Sequence, residues 1–315
     1  ENNPQGIAFN NDGTKMFVVG FDGDDVNEYA LTTGFDVSTA SFVDSFSVTA
    51  QETLPQGIAF NNDGTKMFVI GGAGDDVNEY ALTTGFDVST ASFVDSFSVA
   101  AQETFPTAVA FNNDGTKMFV MGFDGDDVNE YTLSTGFDVS TASFVDSFSV
   151  ALQDTVPRGL AFNNDGTKMF VSGGDGDDVN EYTLSTAFDV STASFVDNFS
   201  VAAQDTGPTG LAFNNDGTKM FVAGLIGDDV NEYTLSTGFN LNNVLPTLSS
   251  SVPADNAIDV ARDANIVLNF SESVTVQTGN ITVKKTSDNS TVETFNVATS
   301  GLITGTGTSQ ITINP

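Results

Sequence analysis

Residues 10–18, NNDGTKMFV, form a turn running into an apolar strand, and the string occurs five times. The same nine residues begin again at Asn61, Asn112, Asn163 and Asn214, a constant spacing of 51 residues with no insertion or deletion. A fixed period of this size signals a repeat architecture. Upstream of the turn, residues 6–9 (GIAF) are apolar on both faces, so the first part of the repeat reads as strand, tight turn, strand. Residues 15–20 (KMFVVG) are again apolar on both faces, and after a Gly and Asp cluster residues 26–31 (VNEYAL) give a third strand. A longer polar connection, 32–40, leads to residues 41–48 (SFVDSFSV), where Phe42, Phe46 and Val48 share one face at period two.

Each repeat thus predicts four strands whose hydrophobicity falls from first to last. That gradient is expected of a β-propeller blade, in which the innermost strand lines the axis, sheet faces pack on neighbouring blades and the last strand lies at the rim. A solenoid is the alternative, but solenoid repeats are commonly shorter and rarely contain a four-strand meander. The Pro-x-Gly-apolar-Ala-Phe strand, the NDGTK turn, the MFV strand and the VNEY strand together resemble the YVTN and NHL-type β-propeller repeats of bacteria, over residues 1–243. The resemblance implies a scaffold with many possible ligands and no shared catalytic set.

There are five copies of the first three strands but four of SFVDSFSV, the fifth running instead into residues 240–245. A ring usually completes one blade from both chain ends, so the expectation is an outer strand supplied from upstream of Glu1 and a truncated N-terminus. From Pro246 the composition changes to short strands, at 265–270, 274–276, 280–285, 291–296 and 310–313, separated by Gly, Asn and Ser turns. The SSxPADNA start at 250–257, NIVLNFSE and GNITV resemble the bacterial Ig-like domains of surface-layer proteins and adhesins. The resemblance implies a β-sandwich over 244–315 that is cut short at Pro315. The fold class is therefore all-β, a propeller of five 51-residue repeats followed by an Ig-like sandwich.

Nine Lys and Arg against 42 Asp and Glu give a net charge of −33, which repels phosphate backbones and anionic lipid. Nucleic acid is excluded as a partner, and no apolar run is long enough for membrane insertion. Residues 244–315 hold six acids and three bases, leaving 36 acids and six bases, net −30, to residues 1–243. There is no Cys, His or Trp, which removes thiol nucleophiles, His-based triads and the usual zinc ligand sets. An acidic, cysteine-free chain of this composition fits the outside of a bacterial cell.

Strand alternation puts the turn at 10–14 and the loop at 32–40 on one face of the disc, and the DGDD loop with the connection to the next blade on the other. Asp22, Asp24 and Asp25, with Asp75, Asp76, Asp126, Asp127, Asp177, Asp178, Asp228 and Asp229, make an acidic crown on that second face. Two readings stand: calcium on hard oxygen ligands, or a solvated acidic loop, since neither the twelve-residue calcium loop nor the GGxGxD repeat is present. Differences between copies gather on the same face. Phe21 becomes Gly72, Phe123, Gly174 and Leu225; Asp22 becomes Ala73, Asp124, Asp175 and Ile226. Leu54 becomes Phe105, Val156 and Gly207; Gln56 becomes Thr107, Arg158 and Thr209. Either these positions make an asymmetric ligand site, with Phe21, Asp22, Leu54, Gln56, Phe105, Phe123, Asp124, Arg158 and Asp175 as candidates, or they are exposed loops that have drifted. Arg158 pairs a ligand carboxylate or sugar acid in the first reading and a neighbouring acid in the second. The Tyr series from Tyr29 to Tyr233 reads as inter-blade packing rather than sugar stacking.

These features lead to the expectation of a non-enzymatic extracellular protein whose propeller binds a glycan or a cell-surface protein, with the Ig-like domain as spacer. A self-assembling building block of a surface layer or fibre is the alternative. A carboxylate-dependent glycan hydrolase or lyase is the third class, disfavoured because every Asp-Asp pair is copied five times where an active site needs one asymmetric constellation.

Overall fold

The computed structural model describes residues 2–241 and, beyond them, 248–254, 257, 258, 260, 261, 264–274, 276, 279–285, 287–297 and 300–314. The chain divides into two compact units, Glu1–Val244 and Leu245–Pro315. In the first, β1 (Pro4–Phe9), β2 (Lys15–Gly20), β3 (Asp25–Leu31) and β4 (Ala40–Ser47) form an antiparallel meander in that order. The pattern recurs as β5–β8 (Pro55–Phe60, Lys66–Gly71, Asp76–Leu82, Ala91–Ser98), β9–β12 (Pro106–Phe111, Lys117–Gly122, Asp127–Leu133, Ala142–Ser149) and β13–β16 (Pro157–Phe162, Lys168–Gly173, Asp178–Leu184, Ala193–Ser200). The fifth sheet has three strands among the described residues, β17 (Pro208–Phe213), β18 (Lys219–Gly224) and β19 (Asp229–Thr234). Burial falls outward as the residue pattern requires: β2 is almost wholly buried and β4 almost wholly exposed.

The core is a set of five clusters between blades. In one, Phe17, Val19, Val26 and Val48 of the first blade meet Ile58, Met67, Val69, Tyr80, Leu82 and Val88 of the second. At each joint a β2-type Phe lies against two rings of the next blade, as Phe17 does against Phe60 and Phe86, with centroids 4.5 and 6.3 Å away. Phe86 owes its position to Gly64: at φ +70° this glycine turns the hairpin, and a Cβ there would sit 2.2 Å from the Phe86 ring.

Polar staples run beside the rings. Lys15 Nζ sits 2.7 Å from Glu28 Oε1 and donates to Phe86 O of the next blade, while Glu28 Oε2 accepts the Val88 amide at 3.1 Å. The same pair recurs to Lys219–Glu232, which grips Phe35 O and the Val37 amide of the first blade. Each Asn11-type side chain donates to the backbone of the next copy: Asn11 to Asn62 O, Asn62 to Asn113 O, Asn113 to Asn164 O, Asn164 to Asn215 O, and Asn215 back to Asn11 O. This circle closes the ring at five blades.

The second unit holds a four-stranded sheet of β20 (Leu248–Val252), β21 (Ile266–Val274), β24 (Ile303–Thr304) and β25 (Thr308–Ile313) in the order 20-21-25-24, and a hairpin of β22 (Asn280–Lys284) and β23 (Thr291–Asn296). Two strands expected near 265–270 and 274–276 are one, β21, whose pairing with β25 shifts register between Asn269 and Val274. An irregularity absorbs the polar Ser-Glu-Ser interruption without ending the strand.

Candidate functional site at the propeller axis

Every innermost strand carries a register shift just after its proline. In the first four blades the extra residue is Gln5, Gln56, Thr107 or Arg158, and in the fifth the irregular stretch is Thr209 and Gly210. A bulge re-aims a side chain out of strand alternation. Here it turns Gln5, Gln56, Thr107 and Arg158 onto an axial cavity of about 20 Å³, room for one or two atoms. Thr107 Oγ1 also lies 3.3 Å from Met121 O and 3.2 Å from Pro157 O, and Thr209 Oγ1 lies 3.1 Å from Ala223 O and 2.8 Å from Pro4 O, so each hydroxyl bridges its blade to the next.

Gln56, Thr107 and Arg158 also wall a larger pocket of about 310 Å³ completed by Phe21, Phe105, Phe123 and Asp124. Phe105 and Phe123 meet edge to face at 6.0 Å. Phe105 has room because its neighbour in the second blade is Gly72, where a Cβ would lie 2.6 Å from the ring. Six of the nine candidate binding residues thus come together here. The other three stand outside this lining: Leu54 is 37% exposed on its connection, Asp22 is exposed on its loop, and Asp175 accepts the Thr155 hydroxyl.

The loops of this face are braced from within. The Glu52 carboxylate is buried and accepts the amides of Leu54, Ala73 and Gly74 at 2.7, 3.1 and 3.1 Å. Glu103, Asp154 and Asp205 serve the next three blades in the same way. Each DGDD loop then ends in a residue of positive φ, from Asp24 to Asp228, and the carbonyls of Asp24, Asp75, Asp126 and Asp177 accept the amides of Val48, Val99, Val150 and Val201. The following carboxylates, Asp25, Asp76, Asp127, Asp178 and Asp229, accept the side-chain amide two residues on at 2.6–2.8 Å. These five carboxylates of the crown therefore hold asparagine donors, Asp126 Oδ1 is buried without a hydrogen-bond partner, and among the described residues no three acidic groups converge so as to hold a metal ion.

Charge at the axis is unlike the rest of the ring. The five Lys of residues 1–243 are each ion-paired at 2.6–2.7 Å, whereas no hydrogen bond or ion pair among the described residues holds the half-buried Arg158 guanidinium. Burial lowers its pKa and the Asp154 carboxylate opposes that shift, but an Arg side chain stays charged. Burial likewise raises Asp154, and raises Asp126 with help from Asp175 and Asp124. Beside Arg158 on the same cavity, both amide atoms of Gln5 and the Gln56 nitrogen are buried without a protein partner. A buried polar group left unmade costs about 1–3 kcal/mol, so this is a site built for a polar occupant.

The importance of Gln5 was invisible to a comparison of copies, since it matches Gln56; only the bulge shows that both face the axis. Tyr80, by contrast, stands where the repeat pattern put it, fully buried against Phe46 at 5.6 Å.

The fold and site define a five-bladed β-propeller with one differentiated face. Residues 242–315 match the family model of the bacterial Ig-like domain, a domain that occurs in bacterial surface proteins. No curated protein matches the chain significantly. Among solved structures, the periplasmic gluconolactonase of Pseudomonas aeruginosa is similar at 17% identity and a TM-score of 0.47, over 77% of this chain and 69% of that one. Proteins provisionally named 6-phosphogluconolactonase from Bacteroides uniformis (12%, TM-score 0.48, 76% and 67% covered) and Bacteroides fragilis (16%, 0.47, 94% and 85%) are similar too. The expectation of a non-enzymatic protein is corrected against these names: five-fold copying of the acidic pairs does not exclude an enzyme. At such identities the likeness is one of fold, and no reaction passes to this chain with it. Among the described residues no helix is long and apolar enough to cross a membrane.

Proposed function

We propose that the propeller is the recognition module of a bacterial surface or secreted protein, that it takes a glycan in the axial pocket, and that the Ig-like domain is its spacer. The observation that supports this is convergence: residues that differ between otherwise near-identical copies meet around one pocket, while the turn NNDGT on the opposite face is the same in all five copies. Phe105 and Phe123 offer apolar ring surface, and Gln56 and Asp124 offer directed hydrogen bonds, the mixture a sugar ring with an apolar face and hydroxyl edges requires. Screening the whole chain on a glycan array tests it. Specific glycan capture is expected, with loss of about tenfold or more in Phe105→Ala or Phe123→Ala; a blank array, or capture unchanged when the first repeat's loops replace all the others, overturns the reading.

A second reading, self-assembly, is favoured by the rim. Each of the four outer strands exposes an adjacent Phe and Val, such as Phe42 and Val43 at 60% and 51%, on an unpaired sheet edge. Sedimentation of the purified chain should then show ordered multimers that Phe42, Phe93, Phe144 and Phe195→Ser substitutions dissolve, and a monomer at all concentrations eliminates it.

A further inference from the structure

The axial cavity and the pocket above it share Gln56, Thr107 and Arg158 as walls, so a ligand resting on Phe105 and Phe123 can send one substituent down onto the axis. What waits there is a donor set: the Arg158 guanidinium, unheld by any described residue, and the buried amide nitrogens of Gln5 and Gln56. In a chain of net charge −33, a cation that makes no ion pair or hydrogen bond with a described residue and lies beside two unmet donors is matched by a small planar anion. The Gln5 carbonyl oxygen, also buried and unmet, suits a neighbouring hydroxyl.

We infer that the glycan is acidic: a sugar bearing a carboxylate, which docks on Arg158 with Gln5 and Gln56 while the ring stacks against the phenylalanines above. This rests on the glycan reading of the pocket. Arg158 would then be the residue that sets specificity, because guanidinium meets carboxylate through two parallel hydrogen bonds that a neutral hydroxymethyl cannot replace. Arg158→Gln offers a clean test, since glutamine already occupies this bulge in the first and second blades and is compatible with the fold there.

The experiment is isothermal titration with matched oligosaccharides ending in glucose, glucuronate or glucose 6-sulfate, and likewise galactose and galacturonate. In the wild-type chain one of the uronate-ended sugars should bind about tenfold or more tighter than its neutral partner. In Arg158→Gln the ratio of acid to neutral affinity should shrink to about twofold, whatever the change in neutral affinity, and Arg158→Lys should recover only part of it. Circular dichroism and thermal melting establish that each variant is folded. Equal binding of acid and neutral sugars, an acid preference that survives Arg158→Gln, or a stronger preference for the sulfate would each overturn the carboxylate subsite and leave glycan recognition standing. Binding of no member of the panel would overturn both.

Discussion

Four joints between blades and the joint that closes the ring are made from the same parts, yet they are not equally packed. Among the described residues, from nine to eleven buried side chains cluster at the four internal joints and five at the closing joint. Near the axis nothing distinguishes them: Phe221 lies between Phe9 and Phe35 as Phe17 does between Phe60 and Phe86, and the Asn circle and the Lys–Glu staple are complete. The difference lies further out. Internal joints receive Phe46 and Val48, or their copies, from the preceding rim strand; at the closing joint a groove of about 370 Å³ runs between Val230 and the Met16, Val18, Tyr29 and Val37 side chains. Val37 and Val230 are half-buried there, while their internal counterparts Val88 and Val26 are fully buried. Ring closure is thus set by the inner layer, and the outer layer contributes tightness.

The comparison is broken most sharply at the staples. Glu79 is 4% exposed and Glu232 23%, although both hold a lysine at 2.6–2.7 Å. Removing one partner of a buried pair costs about 3–5 kcal/mol, so Glu79→Ala should lose that much in urea denaturation and Glu232→Ala about 1 kcal/mol. Equal losses would mean that the closing joint is as dry as the others. A gain is expected from placing a copy of residues 40–51 directly ahead of Glu1, in register with the repeat. Burying its Phe and Val in the groove should add about 2 kcal/mol after the cost of ordering the strand. The same addition with both residues changed to Ser is the control, and an equal gain from it would sink the packing explanation. The smallest effect should be the most even: Asn62→Ala and Asn215→Ala each lose one hydrogen bond of the circle, about 1 kcal/mol, with no difference between an internal and a closing position. Hydrogen exchange at the adjoining amides would expose any inequality.

The repeat period, the four strands and the sorting of loops onto two faces were legible because they depend on local turn chemistry and on alternation within one copy. What binds copies together was not. Glu28 reads as an ordinary polar residue of a rim-ward strand, and its partners are Lys15, thirteen residues back across the hairpin, and Val88, in the next blade. The count of five likewise rests on Asn215 reaching Asn11, a contact between chain-distant copies. Six of the variable candidates meet around one pocket, but period-two reasoning cannot foresee that a bulge aims Gln5 and Gln56 inward. In the second unit, β20 is the polar string LSSSV, which carries no apolar alternation and escaped a strand reading.

The circle of asparagines also divides the labour of change. Each copy must offer its neighbour the same donor and receive the same one in return, so an alteration on that side is felt by two blades at once. The loops around the axial pocket answer to no such symmetry: in four blades the loop is braced by that blade's own carboxylate and can be rewritten alone. A lineage of such proteins could therefore acquire new ligands one loop at a time, by unequal copying of a single blade, without ever renegotiating how the ring is shut.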